Sequence, residues 1–322
     1  MELVCPAGTP AALRDAVDAG ADTVYLGFRD ETNARNFPGL NFTEADLKAG
    51  LAYAHARGRK IYVAINTFPR AGEPGPWHRA IEAAARLGAD AVILADIGLL
   101  DFAAARFPEL RLHLSVQAAA AEAEAIGFYH RAFGVRRVVL PRVLTLPEVA
   151  QLTEAVQPVE TEIFAFGGMC PMAEGRCSLS SYVTGESPNR NGVCSPASHV
   201  RYEERDGKLV SRLGAFTVNC FQSGEPAGYP TLCKGRFTTL GRTGYLFEEP
   251  TSLNVEEMID DLKRAGVAAL KIEGRQRGRA YVAAAVAAWR KLLDGDGGQT
   301  LALRGLTEGG RVTEGALKRT WR

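Results

Sequence analysis

Short apolar runs of β-type composition alternate with Ala-rich amphipathic segments along most of this 322-residue chain. That alternation constrains the fold more than any other feature, because repeated strand–helix–strand units pack as a parallel sheet with helices outside it. The strand runs are Glu2–Cys5, Thr23–Gly27, Lys60–Asn66, Ala91–Ala95, Leu112–Val116, Arg137–Leu140, Glu162–Phe166 and Leu270–Glu273. The early helical segments are Pro10–Ala19, one capped by Thr43 with Asp46 at its third position and ended by Gly58, Trp77–Leu87 and Leu99–Phe107. The later ones run from about Ala121 to Phe133, then Pro147–Ala155, Val255–Ala265 capped by Ser252, and Arg279–Leu293. Eight such units predict a TIM-type (β/α)8 barrel.

The rhythm breaks between Gly167 and about Thr251, where Gly, Pro, Ser and Asn dominate. Setting aside those roughly 85 residues leaves about 237 of the 322, close to the ~250 typical of that barrel. The expected organisation is barrel units one to seven over 1–166, a cysteine-bearing insertion over 167–251, the last barrel units over 252–294 and a loosely specified tail over 295–322. Because the insertion follows strand seven, it emerges at the carboxyl-terminal face, where the active sites of such barrels lie.

Composition narrows the function classes. With 46% apolar and 23% charged residues, a full-sized core is expected, and a net charge of +1 gives no electrostatic case for nucleic acid or an anionic membrane. The opening Met1-Glu2-Leu3-Val4-Cys5-Pro6 goes straight into a strand and does not read as a signal peptide. The most apolar region, Ala80 to Phe107, is interrupted by Arg86, Asp90, Asp96, Asp101 and Arg106, so no membrane span is expected. Six cysteines in such a chain point to a reducing, cytoplasmic setting, where metal binding or catalysis is a better use of thiols than disulfides.

Five of the six cysteines lie between 170 and 233. Cys170, Cys177, Cys194 and Cys233 each stand within a residue or two of Gly or Pro, in polar segments with little core to fill. Cys220, in Val218-Asn219-Cys220-Phe221, and Cys5 have apolar strand settings and read as buried bystanders. The spacing Cys-x6-Cys-x16-Cys-x38-Cys lacks the tight knuckles of structural zinc, and no histidine stands at knuckle distance; His199 is five residues beyond Cys194. An all-thiolate set with wide gaps suits an iron–sulfur cluster, with zinc and unligated thiols as the alternatives.

Polar side chains also stand at the predicted strand ends: Asn33 and Arg35, Asn66, Asp96, Gln117, Arg142, and the run Lys271-Ile272-Glu273-Gly274-Arg275. Period-two alternation puts Lys271, Glu273 and Arg275 on one side of strand eight. An inward Lys271–Glu273 pair would be either a structural ion pair or a catalytic proton-exchanging couple. Arg35, Arg142 and Arg275, with Asn66 and Gln117, could bind a carboxylated or phosphorylated ligand. His113 reads as a packing residue under strand five, and Asn189–Gly192 as a turn presenting Cys194. Neither Gly224–Gly228 nor any other stretch matches a phosphate loop, and no Gly-x-Ser-x-Gly or His-Glu-x-x-His stretch occurs.

Several stretches resemble the collagenase-like peptidase family, and within it the ubiquinone-biosynthesis (UbiU-type) branch. They are Cys170…Gly175-Arg176-Cys177…Cys194-Ser195-Pro196, Tyr229-Pro230-Thr231-Leu232-Cys233-Lys234-Gly235-Arg236, Lys271-Ile272-Glu273-Gly274-Arg275, Asn33-Ala34-Arg35-Asn36-Phe37, Thr184-Gly185-Glu186-Ser187-Pro188-Asn189 and Glu249-Pro250-Thr251-Ser252-Leu253-Asn254. The resemblance implies a [4Fe–4S] cluster on Cys170, Cys177, Cys194 and Cys233, and a heterodimer with a UbiV-like partner. It implies a role in oxygen-independent hydroxylation of the ubiquinone ring precursor, and relatives that hydroxylate RNA suggest prephenate as oxygen donor. An RNA-modifying hydroxylase and a collagenase-like peptidase are the alternatives; no recognisable nucleophile–base pair supports the latter. The chain departs from close relatives in Ala118-Ala119-Ala120, where they carry more Ser, Thr or Asn.

Overall fold

The computed structural model describes residues 1–172, 174, 177–187, 194–225, 227–295 and 303–318. Gly175-Arg176, the turn at Asn189–Gly192, one residue of Gly224–Gly228 and much of the tail lie outside the described residues.

Strands β1 (Glu2–Pro6), β2 (Thr23–Leu26), β3 (Lys60–Ile65), β4 (Ala91–Leu94), β5 (Leu112–Leu114), β6 (Arg137–Val139) and β7 (Glu160–Gly168) pair in sequence order, all parallel. The insertion carries helix Leu179–Thr184, an antiparallel sheet of β8 (Val200–Arg205), β9 (Lys208–Leu213) and β10 (Phe216–Phe221), and a ribbon of β11 (Arg236–Thr239) and β12 (Arg242–Tyr245). A short β13 (Ser252–Asn254) then runs antiparallel to the end of β7. The last barrel strand, β14 (Ala269–Ile272), closes the ring by pairing with both β1 and β7, setting Leu3 opposite Leu270 and Leu270 opposite Ile163. A final short strand, β15 (Val312–Thr313), lies beside β13. The TIM-type barrel read from the alternation is the fold observed.

The strands form where they do because both faces are buried, the condition for parallel sheets. Outward side chains such as Leu3, Val24, Ile61 and Val63 pack under the helices, while Val4, Tyr25, Tyr62, Ala64, Ala91, Ile93 and Ala269 form a separate cluster inside the ring. Helix starts are written in capping residues. Thr43 and Thr145 make full capping boxes with Asp46 and Glu148, and Thr9 caps the first helix. Asp96, expected at the rim, instead caps the helix Ile97–Arg106 by accepting from Leu99 N at 3.1 Å.

Ser252 is not a helix cap. Its backbone is held in β13, its Oγ accepts from Glu308 N at 2.9 Å, and the following helix starts only at Ile259 after a 3-10 turn. Both edges of that short strand are paired, by β7 and β15, and that pairing outcompetes a capping role. Among the described residues, no helix is long and apolar enough to cross a membrane.

The amino-terminal end of the barrel interior is closed by charge. Arg137 contacts Glu2, Glu160 and Glu162, the last at 3.1 Å. His113 is fully buried there, edge-on to Tyr62 at 4.6 Å, which agrees with a packing role. Burial and the nearby Arg137 guanidinium keep its imidazole neutral.

Candidate active site

A cavity opens at the opposite end, over the carboxyl ends of the strands. Every rim residue expected to bind or react lines it: Arg35, Asn66, Gln117, Arg142, Lys271, Glu273 and Arg275. So do Cys170, Cys177 and Cys194 from the insertion. Tyr25, Ser115, Phe164 and Glu174 complete the wall and were not singled out from the sequence; Tyr25 and Phe164 read there as ordinary strand core.

Two asparagines build the frame. Asn33, fully buried, accepts from Arg35 N at 2.9 Å and from Arg275 Nη1 at 3.1 Å. Asn66 accepts from Ala34 N at 3.0 Å and donates to Ser115 Oγ at 3.2 Å. Close packing makes room for Arg275: a Cβ on Gly8 would stand 1.9 Å from the Arg275 carbonyl oxygen, and one on Gly27 would stand 2.8 Å from Arg275 Nη1. Gln117 sits on a short 3-10 turn, its N–H donating to Ser115 Oγ at 3.2 Å. None of Ala118, Ala119 and Ala120 lines the cavity, so the missing hydroxyls do not change its wall.

Lys271 and Glu273 share a face, as alternation requires, but do not pair with each other. Lys271 Nζ donates to Glu162 Oε1 at 2.6 Å and lies 4.0 Å from the Tyr25 ring centroid. The partner comes from the neighbouring strand β7, where Glu162 is registered with Ala269, two residues before Lys271. Burial lowers the Lys271 ammonium below its ordinary value, partly offset by Glu162.

Glu273 faces Arg35 at 3.5 Å and accepts from Gly168 N at 3.3 Å. Burial would raise its carboxyl, but Arg35 and Arg142 outweigh that and hold it below the usual range. Arg142 Nη1 donates to Glu174 Oε1 at 2.7 Å, its guanidinium stacked 3.7 Å from the Phe164 centroid. Arg275 differs: it lies over Tyr25 and bonds Asn33, but among the described residues no carboxylate comes within ion-pairing distance of it. Burial, with Arg35 adding, lowers it to about 10.

All six thiols are free. Cys170, Cys177, Cys194 and Cys233 share one electrostatic field. Burial pushes Cys233 up to about 12, with Cys170 and Cys194 contributing, and Cys194 is raised by burial and by Cys177 against the pull of Arg35. Cys170 is raised by burial, with Arg142 opposing and Glu174 reinforcing. Cys233 is not among the residues that line the cavity. The adjoining Lys234 pairs with Glu308, which also accepts from Arg277 Nη2 at 2.8 Å, tying this part of the insertion to the barrel. Among the described residues, no three His, Cys, Asp or Glu side chains are set to hold a single metal ion.

Cys5 is buried as expected, but Cys220 is exposed. A register shift between Thr217 and Asn219 turns both Val218 and Asn219 inward and leaves Cys220 outside.

Residues 8–304 match the model of Peptidase family U32. The chain belongs to this family. Among U32-like relatives, the tRNA hydroxylation protein P of Escherichia coli K12 is 33% identical over 343 aligned residues, covering 99% of this chain and 74% of that protein. The 23S rRNA 5-hydroxycytidine C2501 synthase of the same organism is 29% identical, covering 91% of this chain and 39% of that one. A collagenase of Porphyromonas gingivalis is 30% identical over 87% of this chain and 62% of its own. The family expected from the cysteine and barrel-rim motifs is thus the family found.

Proposed function

We propose that this U32 member is an oxygen-independent hydroxylase subunit. In this reading, the 167–251 insertion binds a [4Fe–4S] cluster through Cys170, Cys177, Cys194 and Cys233. The observation that carries it is the convergence on one cavity of three cysteine thiols with Arg35, Arg142 and the carboxylate-free Arg275.

The residues fit the cluster. The donor set is all sulfur, and Arg35, Arg142 and Lys234 lie where they oppose the rise that burial imposes on Cys194, Cys170 and Cys233. When bound, such a cluster supplies redox or Lewis-acid chemistry beside the cavity. The chain's own residues bind and orient: Arg275 receives a carboxylate, Asn66 and Gln117 offer amides, and Lys271 and Glu273 are held by Glu162 and Arg35 respectively.

The substrate reading follows the motifs shared with the ubiquinone-biosynthesis branch. The acceptor is the ubiquinone ring precursor, the oxygen donor is prephenate, whose carboxylates suit the arginines, and a UbiV-like protein is the heterodimer partner. A second reading, hydroxylation of an RNA base, is favoured by the names of the two Escherichia coli relatives. A net charge of +1 speaks against a broad phosphate footprint. Peptide hydrolysis has the least support, since among the described residues no histidine lines the cavity to serve as base.

Deleting the gene and measuring quinone made with and without oxygen tests the first reading; the expected defect is confined to the anaerobic culture. Loss of a hydroxylated nucleoside with quinone intact would move the proposal to the second. Anaerobic purification is expected to give a brown protein with about four iron atoms per chain. Stoichiometric zinc without iron would refute the cofactor assignment.

A further inference from the structure

Arg142 and Glu174 meet at the cavity wall in an arrangement that leaves both partly unsatisfied. Their side chains are 7% and 4% exposed, yet among the described residues Arg142 Nε and Glu174 Oε2 have no hydrogen-bond partner. A guanidinium facing a carboxylate ordinarily engages both oxygens through a two-donor edge. Here one bond is made, while the Phe164 ring holds the guanidinium plane in place.

Counting charge around the cavity shows why this matters. Arg35 faces Glu273, Lys271 faces Glu162, Arg142 faces Glu174, and among the described residues Arg275 faces no carboxylate. One carboxylate can therefore enter against Arg275 without any rearrangement. A second finds no free cation unless an internal carboxylate yields. Glu162 is held by both Lys271 and Arg137, and Glu273 by both Arg35 and Gly168 N. Among the described residues Glu174 is held by a single bond, to Arg142, and is the one that can yield.

We propose that Glu174 is a stand-in for the second carboxylate of a dicarboxylate ligand. It occupies Arg142 when the site is empty and is displaced by that ligand, so it sets the preference between dicarboxylates and monocarboxylates. This rests on the reading of the cavity as a carboxylate site. Without a ligand, the occupied state of Arg142 reduces apparent affinity by the fraction of time Glu174 is in place. Removing its charge removes that competition for dicarboxylates alone.

Calorimetric titration of the iron-loaded full chain with prephenate, which has two carboxylates, and phenylpyruvate, which has one, tests this. Glu174→Gln is expected to tighten prephenate binding by about tenfold and to leave phenylpyruvate within about twofold. Arg142→Gln is expected to bring prephenate down to the affinity of phenylpyruvate. Prephenate should also raise the melting temperature of Glu174→Gln more than that of wild type, a readout that serves even if the variant is less stable. Unchanged or weakened prephenate binding in Glu174→Gln would overturn the assignment, as would equal tightening of both acids, which signals a general field effect. If neither acid binds wild-type protein, the carboxylate-site reading itself fails, and this assignment with it.

Discussion

The barrel interior holds two sets of buried charges, one at its floor and one at its mouth, built from the same residue types. At the floor, Arg137 is enclosed by Glu2, Glu160 and Glu162, and Glu162 also receives Lys271. At the mouth, among the described residues, Arg275 has no carboxylate, and Arg142 and Glu174 each keep an unpartnered polar atom. Burying an ion is unfavourable unless its partners are supplied, so a satisfied network reads as structure and an unsatisfied one as a place for a ligand. The contrast separates residues that sequence alone treats alike: Lys271 lines the cavity but is tied to the floor through Glu162, whereas Arg275, four positions on, meets no carboxylate among the described residues.

The largest effect is expected from breaking the floor. Arg137→Met removes a guanidinium shared by three carboxylates, leaving Glu162 to Lys271, Glu160 to Arg111 and Glu2 to Lys60, and should cost about 3 kcal/mol in a urea unfolding titration. Acid should act on the same network with a smaller loss. Burial tends to raise the Glu2 carboxyl, but Arg137 and Thr23 outweigh it and hold it at about 2, against an ordinary 4.5. A carboxyl depressed in the folded state stabilises fully above its unfolded value and loses that contribution as pH falls toward the folded one. Melting temperature should therefore decline from about pH 4.5 toward pH 2, and Glu2→Gln should flatten that slope. Weaker again is the tie between insertion and tail: Glu308→Gln loosens Lys234 and Arg277 and should cost about 1 kcal/mol, with faster iron loss during dialysis. At the mouth, Arg275→Gln should leave unfolding free energy within about 1 kcal/mol of wild type, because no ion pair is broken.

The barrel was legible because its strands are apolar on both faces and its helices start at Thr9, Thr43 and Thr145, signals carried by adjacent residues. The rim positions were legible for a related reason: polar residues directly after strand ends fall on the active face. Pairing was not. Lys271 and Glu273 share a face, but the Lys271 side chain reaches Glu162 on the neighbouring strand β7, a residue 109 positions away. Glu174 escaped notice because its partner Arg142 comes from a loop 32 residues earlier, and no local pattern marks that contact. Cys220 was misplaced because a bulge, invisible in period-two alternation, turned the strand.

The most direct test compares carboxylate binding in wild type and Arg275→Gln, using calorimetric titration with prephenate under anaerobic conditions. If the mouth is a ligand site, the substitution removes at least about 2 kcal/mol of binding, roughly thirtyfold in Kd, while unfolding stays near wild type. Equal affinity in the two proteins, or loss of binding only through unfolding, would contradict the distinction between floor and mouth.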